Sequence, residues 1–285
     1  FAGDSDTLAT LNLYSGLVTN SAASGTLTVN ALTLGGGPAG TAATVDTGTG
    51  TGSLKLGGNM TFSAVNDPNT ATLAGRLDLN GATRTFTVNN SYAPGAAVDL
   101  DIPAIISGGA GYGVTKSGGG VLRLRGANTF DGNIASADNC GTIIAGHPQA
   151  LGAPTLGRII TVNNNDTLVL DGTNGNIVTP SNYTNLFLNG GGDSQIGPVR
   201  GAIISQSGSN TVACPVILTG NAVSLASLQV GGTLALLGNI SGAFDLTVNG
   251  DGDMVLGGAI NTDRRGQGHR HKGHEGGRRH RQQDL

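Results

Sequence analysis

Residues 111–152 read GYGVTKSGGGVLRLRGANTFDGNIASADNCGTIIAGHPQALG, and this stretch decides the fold class. It alternates short apolar runs with turns built from Gly and Asn. In an extended chain over residues 121–125, the side chains of Leu122 and Leu124 fall on one face. A Gly-Ala-Asn-Thr-Phe turn follows, and residues 141–144 begin another strand. The pattern predicts a series of short β-strands separated by tight turns.

The order and spacing of these elements resemble the autotransporter-associated β-strand repeat, also called the passenger-associated transport repeat. That pattern runs V-T-K, then G-x-G-x-L-x-L-x-G-x-N-T-[FY]-x-G, then G-T-L and A-L-G. The corresponding segments are 114–116, 118–132, 141–143 and 150–152. The resemblance implies a right-handed parallel β-helix in the passenger region of a bacterial protein that is exported across the outer membrane.

A looser second copy of the pattern lies near the end of the chain, with Val248 at the position of the Lys. The matched segments are 106–108 with 240–242, 114–118 with 246–250, and Leu122 and Leu124 with Met254 and Leu256. Two such units predict stacked elements that bury a core only against their neighbours.

Composition supports an all-β fold independently of the resemblance. The chain has 50 Gly in 285 residues, no Trp, 4% aromatic and 12% charged residues, whereas an ordinary globular domain has about 25% charged residues. No apolar run is long enough for a membrane helix, and a helical period is nearly absent. Many short strands fit a solenoid, a sandwich or a propeller. We favour a solenoid because small aliphatic residues can fill its narrow core, whereas a sandwich needs bulkier aromatic side chains.

These observations predict a β-solenoid over residues 1–262. In it, Leu122 and Leu124 should line up with residues of neighbouring coils such as Ile143, Leu168 and Leu170. The chain begins at Phe1 without Met or a signal peptide, which predicts a mature product or a fragment.

Residues 263–285 differ sharply from the rest. Up to Thr262 there are 8 Lys+Arg and 15 Asp, net −7, whereas the tail has 7 Lys+Arg and 3 Asp+Glu, net +4; the sum is the chain's −3. One interpretation is a basic arm for nucleic acid or anionic glycans. Another is a metal tract of His269, His271, His274 and His280. The plain alternative is a disordered polar end.

A shifted reading frame explains the abrupt change better than either functional interpretation. The second repeat copy stops at Asn261-Thr262, where an aromatic residue and a Gly should follow. Read one nucleotide later, codons for residues 263–265 can spell Thr-Gly-Gly, which completes a turn. We therefore expect the tail to be disordered or frameshifted and to contribute no nucleic-acid or metal binding.

Few residues of the body suggest catalysis. Cys140 and Cys214 lack C-x-x-C spacing, so they are interpreted as two separate, partly buried thiols, although a secreted protein permits a disulfide between them. His147 precedes Pro148 in a turn without a nucleophile motif, and it is predicted to lie at the surface.

Asp99 and Asp101 alternate with apolar residues, which places both carboxylates on one side of a strand. They could form an acid/base pair or bind calcium, but an ordinary solvated strand face is favoured.

Loops 171–176 and 249–253 resemble calcium loops only loosely, since neither matches an EF-hand, and turn formation is favoured. Glycine clusters 118–120 and 190–192 lack the Lys and helix of a phosphate loop and are predicted to be bends. The sequence therefore predicts no catalytic, cofactor or metal site.

The function expected from the resemblance is a non-enzymatic structural or adhesive passenger, located outside the cell or on the bacterial surface. Cell-surface glycans or host and matrix surfaces are its candidate partners, and an outer-membrane translocator is expected elsewhere in the full chain. Two alternatives remain: a polysaccharide-active enzyme on a β-helix, and a calcium-dependent glycan-binding module. An enzyme needs several carboxylates and a Lys or Arg in one groove, so scattered charges would favour the passenger.

Overall fold

A computed structural model describes residues 4–20, 24–93, 97–195 and 200–262. The predictions for the tail, residues 263–285, lie outside these residues. Within the described ranges the chain forms 28 β-strands and one 3₁₀ turn, Gly172–Asn174. All-β structure, as predicted from the short apolar runs, is confirmed.

The strands, in chain order, are β1 (Ser5–Leu13), β2 (Gly16–Thr19), β3 (Thr26–Gly35), β4 (Ala43–Asp46), β5 (Ser53–Leu56), β6 (Met60–Ser63), β7 (Ala71–Ala74), β8 (Arg76–Asp78), β9 (Arg84–Val88), β10 (Leu100–Ile102), β11 (Ile105–Ser107), β12 (Val114–Ser117), β13 (Val121–Leu124), β14 (Ile134–Ser136), β15 (Thr142–Ala145), β16 (Ile159–Val162), β17 (Thr167–Asp171), β18 (Val178–Thr179), β19 (Asn185–Leu188), β20 (Ile203–Ser207), β21 (Ser209–Val212), β22 (Val216–Leu218), β23 (Val223–Ser227), β24 (Thr233–Leu236), β25 (Ile240–Ser241), β26 (Leu246–Asn249), β27 (Asp253–Leu256) and β28 (Ile260–Asn261).

The strands stack into a three-sided parallel β-solenoid. Every pairing between the described strands is parallel. Face 1 is the ten-stranded sheet β2-β4-β7-β10-β13-β15-β17-β20-β23-β26. Face 2 holds β5, β8 and β11 and, further along, β18, β21, β24 and β27. Face 3 holds β6, β9, β12, β14, β16, β19, β22, β25 and β28. Each coil visits the three faces in this order.

The predicted core columns are confirmed. On face 1, Leu122 pairs with Ile143, which pairs with Leu168. All three side chains are buried. Leu124, Ala145 and Leu170 form a parallel buried column. Because side chains in a strand alternate between two sides, a fixed register keeps each inward column continuous along the stack.

The corner between faces 2 and 3 is made by a bend within the long strand β3. Its first four residues pair with β5 and its last four with β6, with Asn30 between them. On the next coil Gly58 lies over this bend, where a Cβ would stand 2.1 Å from the Asn30 carbonyl oxygen. Glycine is required there because successive coils approach too closely for any side chain.

The second repeat copy occupies different faces from the first. Ile106, residues 114–118 and Leu122 lie on faces 2, 3 and 1, whereas their counterparts Ile240, residues 246–250 and Met254 lie on faces 3, 1 and 2. The order is preserved, but the copy is advanced by one face. Any face accepts the same apolar-in, polar-out alternation, so the two copies share a pattern without lying above one another.

Face 2 has a gap between β11 and β18, where two coils have no strand. Isolated backbone bonds, such as that from the Thr129 N–H to the Ile106 carbonyl at 2.8 Å, still join the coils there. The buried amide of Asn128 adds to them. Its Oδ1 accepts from the Ile106 N–H at 2.8 Å, and its Nδ2 donates to the Ala150 carbonyl at 2.7 Å. Asn128 comes from the Asn-Thr-Phe part of the motif, so that turn residue joins three successive coils.

We expect Leu122→Ala to destabilise the solenoid by about 2–5 kcal/mol, because it removes buried methyl groups from a column that cannot collapse freely. Chemical denaturation followed by far-ultraviolet circular dichroism measures the loss. Leu156→Ala is the matched control: its side chain is 79% exposed, so its effect should stay within about 0.5 kcal/mol. Equal midpoints for the two variants would contradict the core assignment.

Candidate functional site

The outer side of face 1 carries a compact charged cluster. Asp101 of β10 pairs in register with Arg123 of β13, and Arg125 follows at the end of β13. Arg123 Nε and Nη2 donate to the two carboxylate oxygens at 2.9 and 3.1 Å. Arg125 does the same, with Nε to Oδ1 at 2.9 Å and a second bond from Nη2 to Oδ2. One carboxylate is therefore held by two guanidinium groups in fork geometry.

This geometry removes Asp101 from acid/base chemistry. Burial alone would raise the pKa of the Asp101 carboxyl, but the hydrogen bonds from Arg125 and Arg123 outweigh it and hold this pKa below its ordinary value. A general base needs a free oxygen and a pKa near the working pH. Asp101 has neither, and the cluster keeps a net charge of +1.

A further carboxylate that interacts with Arg123 is that of Asp171, at the end of β17. It accepts hydrogen bonds from Ser207 Oγ at 2.5 Å and from Thr173 Oγ1 at 2.6 Å. These bonds, together with the Thr173 N–H, outweigh burial and lower the pKa of Asp171. The carboxylate also begins the 3₁₀ turn at Gly172–Asn174. Turn formation, predicted for loop 171–176, is confirmed.

A second charged group lies inside the solenoid. Lys116 of β12 points inward in register with Phe86 and Ser136, and its side chain is fully buried. Its ammonium donates to the Gly118 carbonyl at 2.6 Å and to the Cys140 carbonyl. Burial lowers the pKa of Lys116, although surrounding acidic groups partly oppose the shift. The Lys of the V-T-K motif is therefore a core residue.

Three buried carboxylates, those of Asp99, Asp166 and Asp193, interact electrostatically with this lysine. Asp99 accepts from the N–H groups of Ser91 and Val121, both at 2.7 Å, and Asp166 accepts from the Cys140 N–H at 2.6 Å. Burial raises the pKa of both Asp99 and Asp166 despite these bonds. Each carboxylate satisfies backbone groups where face 3 turns into face 1.

The predicted solvated face for Asp99 and Asp101 is wrong. Both residues are buried, with 0% and 4% exposure. The backbone N–H groups of Ser91 and Val121 hold Asp99, and the arginines of the next coil cover Asp101. Alternation along a strand contains no information about which groups of the neighbouring coils cover its residues.

Both cysteines are free, as the sequence suggested, and they are fully rather than partly buried. Burial raises the pKa of the Cys140 thiol to about 12, and its Sγ donates to Asp166 Oδ2 at 3.4 Å. Burial also raises the pKa of Cys214. Reactive cysteines are thiolates at neutral pH, so neither is suited to nucleophilic chemistry.

The buried side chain of Arg158 bonds to the chain segments that lack a strand on face 2. Its guanidinium donates to the Gly132 and Leu151 carbonyls at 2.7 and 2.6 Å and to the Tyr183 hydroxyl at 2.7 Å. It also lies 5.2 Å from the Phe130 ring centroid and 5.0 Å from that of Tyr183. Burial lowers the pKa of Arg158. Arg158 could not be recognised from the sequence, because an isolated Arg before an apolar strand carries no motif.

A shallow cavity of about 150 Å³ opens beside Tyr183. Three prolines, Pro148, Pro154 and Pro180, contribute to its lining together with the half-exposed Val178. No charged side chain is among its lining residues. It offers apolar contact, and the hydroxyl of Tyr183, its titratable lining residue, is already bonded to Arg158 and to the Ala153 carbonyl.

The other sequence candidates have structural roles. His147 is half-buried rather than fully at the surface, and its Nδ1 accepts from the Gln149 N–H at 3.0 Å within the turn. Gly118 has a φ of 77°, and a Cβ there would stand 2.5 Å from the Val88 carbonyl oxygen. Cluster 118–120 is therefore a close bend, as predicted. Loop 249–253 forms the turn between β26 and β27.

Among the described residues, no group of three or more His, Cys, Asp or Glu side chains comes together in a way that could hold a metal ion. No helix in the same residues is long and apolar enough to cross a membrane.

Comparison of the chain with protein-family models, with curated proteins and with solved structures gave no match.

Asp101→Asn should destabilise the protein by about 1–3 kcal/mol, because two guanidinium groups would face each other without their carboxylate. The lower end is expected, since both arginine side chains are partly solvated. Asp78→Asn is the control: its ion pair with Lys55, at 3.5 Å, is more exposed and should be worth less than about 1 kcal/mol. Denaturant midpoints of the two variants decide; an equal effect would refute the special role of the cluster.

Lys116→Met tests the buried ammonium through pH. A lysine whose folded pKa is lowered contributes stability above its unfolded pKa and loses that contribution as the pH falls through its folded pKa. Stability of the native protein relative to Lys116→Met should therefore rise as the pH approaches the ordinary lysine pKa of about 10.4 from below, by at most about 1.4 kcal/mol per pH unit. Lys55→Met, at a side chain 35% exposed, should give no such trend. If the curves of stability against pH for Lys116→Met and the native protein run parallel, the pKa of the buried Lys116 ammonium is not lowered.

Proposed function

We propose that this protein is a non-enzymatic structural or adhesive passenger region, displayed outside the cell or on a bacterial surface. One observation supports it above the others: ten strands stack on face 1 with one continuous core. At about 4.8 Å per coil, the stack is roughly 43 Å long. A solenoid of this kind presents repeated faces and corners over its whole length, which suits spacing and multivalent adhesion.

The charge distribution also supports this proposal over a polysaccharide-active enzyme. The sequence criterion for an enzyme was a groove with several carboxylates and a Lys or Arg. Asp101 with Arg123 and Arg125 is the arrangement nearest to it, yet both carboxylate oxygens are already bonded. Asp171 is likewise bonded to hydroxyl groups. Neither carboxylate is positioned to accept a proton from a substrate.

Export through an outer-membrane translocator rests on the repeat resemblance in residues 111–152. Its Asn128, Phe130 and Lys116 all have defined cross-coil or core positions, which supports treating the segment as a solenoid-building unit. The calcium-dependent glycan-binding alternative has no comparable support.

The test combines adhesion and turnover on the same protein. The full chain, immobilised on beads, should retain cells or cell-surface polysaccharides, while prolonged incubation with polygalacturonate and neutral glucans should release no reducing ends. Retention is expected because the solenoid presents repeated surfaces to the cells or polysaccharides. No turnover is expected because the carboxylates are already hydrogen-bonded and cannot act on a glycosidic bond. Turnover that disappears in Asp101→Asn or Asp99→Asn, with folding intact by circular dichroism, would overturn the proposal. Absence of retention on every surface would equally count against adhesion.

A further inference from the structure

Three large side chains stand exposed at the corner where the chain leaves face 3 and turns toward face 1. Tyr14 is 57% exposed, Val65 is 63% exposed and Tyr92 is 79% exposed. Tyr14 directly follows β1, Val65 lies two residues after β6, and Tyr92 lies four residues after β9. All three therefore belong to the same turn of different coils.

The register of the preceding strands shows that these turns are stacked. Leu13 pairs with Leu34, Leu34 with Phe62, and Phe62 with Val88. The ends of β1, β3, β6 and β9 thus lie one above another. Three coil steps of about 4.8 Å separate the first from the last, so the corner extends roughly 14 Å along the solenoid axis.

The turn between the two tyrosines is rigid. Asn66 and Asp67 have φ values of 64° and 50°, a left-handed conformation that is uncommon without glycine. Asn66 Nδ2 donates to the Gly36 carbonyl at 3.4 Å on one side, and the Tyr92 N–H donates to Asp67 Oδ1 at 3.1 Å on the other. Neighbouring coils hold this turn, and the amide and carboxylate of Asn66 and Asp67 are exposed.

Aromatic side chains are scarce in this chain, which makes their position informative. There are six Phe and four Tyr in 285 residues. Phe62, Phe86 and Phe130 are fully buried, whereas two of the four tyrosines stand at this one corner. A scattered exposed apolar residue needs no explanation. Two exposed rings on one rigid, stacked corner, with polar groups between them, form a platform for flat apolar faces.

We infer that this tyrosine strip, Tyr14, Val65, Asn66, Asp67 and Tyr92, binds a neutral linear glycan that runs along the solenoid axis. The C–H faces of pyranose rings would pack on the tyrosines and on Val65. Ring hydroxyls would bond to the amide of Asn66 and the carboxylate of Asp67. The inference rests on the proposed adhesive function and names its ligand class and site.

Charge and size select this ligand over others. Residues 1–262 carry a net charge of −7, from 8 Lys+Arg and 15 Asp, and Asp67 stands within the strip, so sulfated or uronic chains are disfavoured. A protein partner needs about 800 Å² on each side of the interface. A strip one corner wide, interrupted by Gly36 and Gly37, does not offer that area.

The experiment measures binding of β-1,4-linked glucan, mannan and xylan hexamers to the full chain by isothermal titration calorimetry. Native protein should bind at least one of them. Tyr14→Ala and Tyr92→Ala should each weaken that binding roughly three- to tenfold, the effect expected for the loss of one aromatic stacking contact, and the double variant should weaken it further. Tyr112→Ala is the matched control: this tyrosine is 38% exposed and lies at another corner, near Gly81 and Gly109.

The outcomes separate the strip from the wider function. Native binding to none of the hexamers, or equal binding by the double variant, overturns the strip. If bead-bound protein still retains cells in that case, the adhesive function stands and its site lies elsewhere. Unchanged melting temperatures of the tyrosine variants confirm that any lost binding comes from the missing rings rather than from unfolding.

Discussion

The parallel backbone ladder between coils is the interaction on which the rest of the structure depends. It holds each coil about 4.8 Å from the next and keeps equivalent residues in register. Each inward side chain must therefore pack against apolar side chains of the coils above and below it, as Leu122, Ile143 and Leu168 do. Where face 2 lacks strands, the side chains of Asn128 and Arg158 supplement the few backbone bonds that still join the coils.

Local periodicity was sufficient to predict the strands, the inward columns and the bends at the glycine clusters. It was not sufficient for contacts made between coils. Lys116 occupies an inward position by alternation, but a charged side chain is ordinarily assigned to solvent. Its ammonium can be buried because the Gly118 and Cys140 carbonyls, on its own and the following coil, receive it. The burial of Asp101 beneath Arg123 and Arg125 is likewise a contact between neighbouring coils, which local periodicity does not reveal.

The repeat copies show why internal similarity in a solenoid does not fix position around the axis. Residues 114–118 lie on face 3, whereas the matching residues 246–250 lie on face 1. Each face requires the same sequence pattern, in which apolar and polar residues alternate and a tight turn follows. The same short sequence pattern can therefore serve on any face. Residues at the corners do not pack into the core, so they are free to take on a function.

The gap on face 2 has a mechanical consequence. Elsewhere on this face, neighbouring strands are joined by rows of backbone bonds that share a load pulling the coils apart. Between β11 and β18 that load falls on isolated backbone bonds, such as those from the Thr129 N–H to the Ile106 carbonyl and from the Ala153 N–H to the Phe130 carbonyl. The side chains of Asn128 and Arg158 add further contacts. A molecule stretched between two surfaces would open first along this side and hinge on faces 1 and 3, whose ladders continue through the same coils. The middle of the solenoid would then serve as its compliant joint.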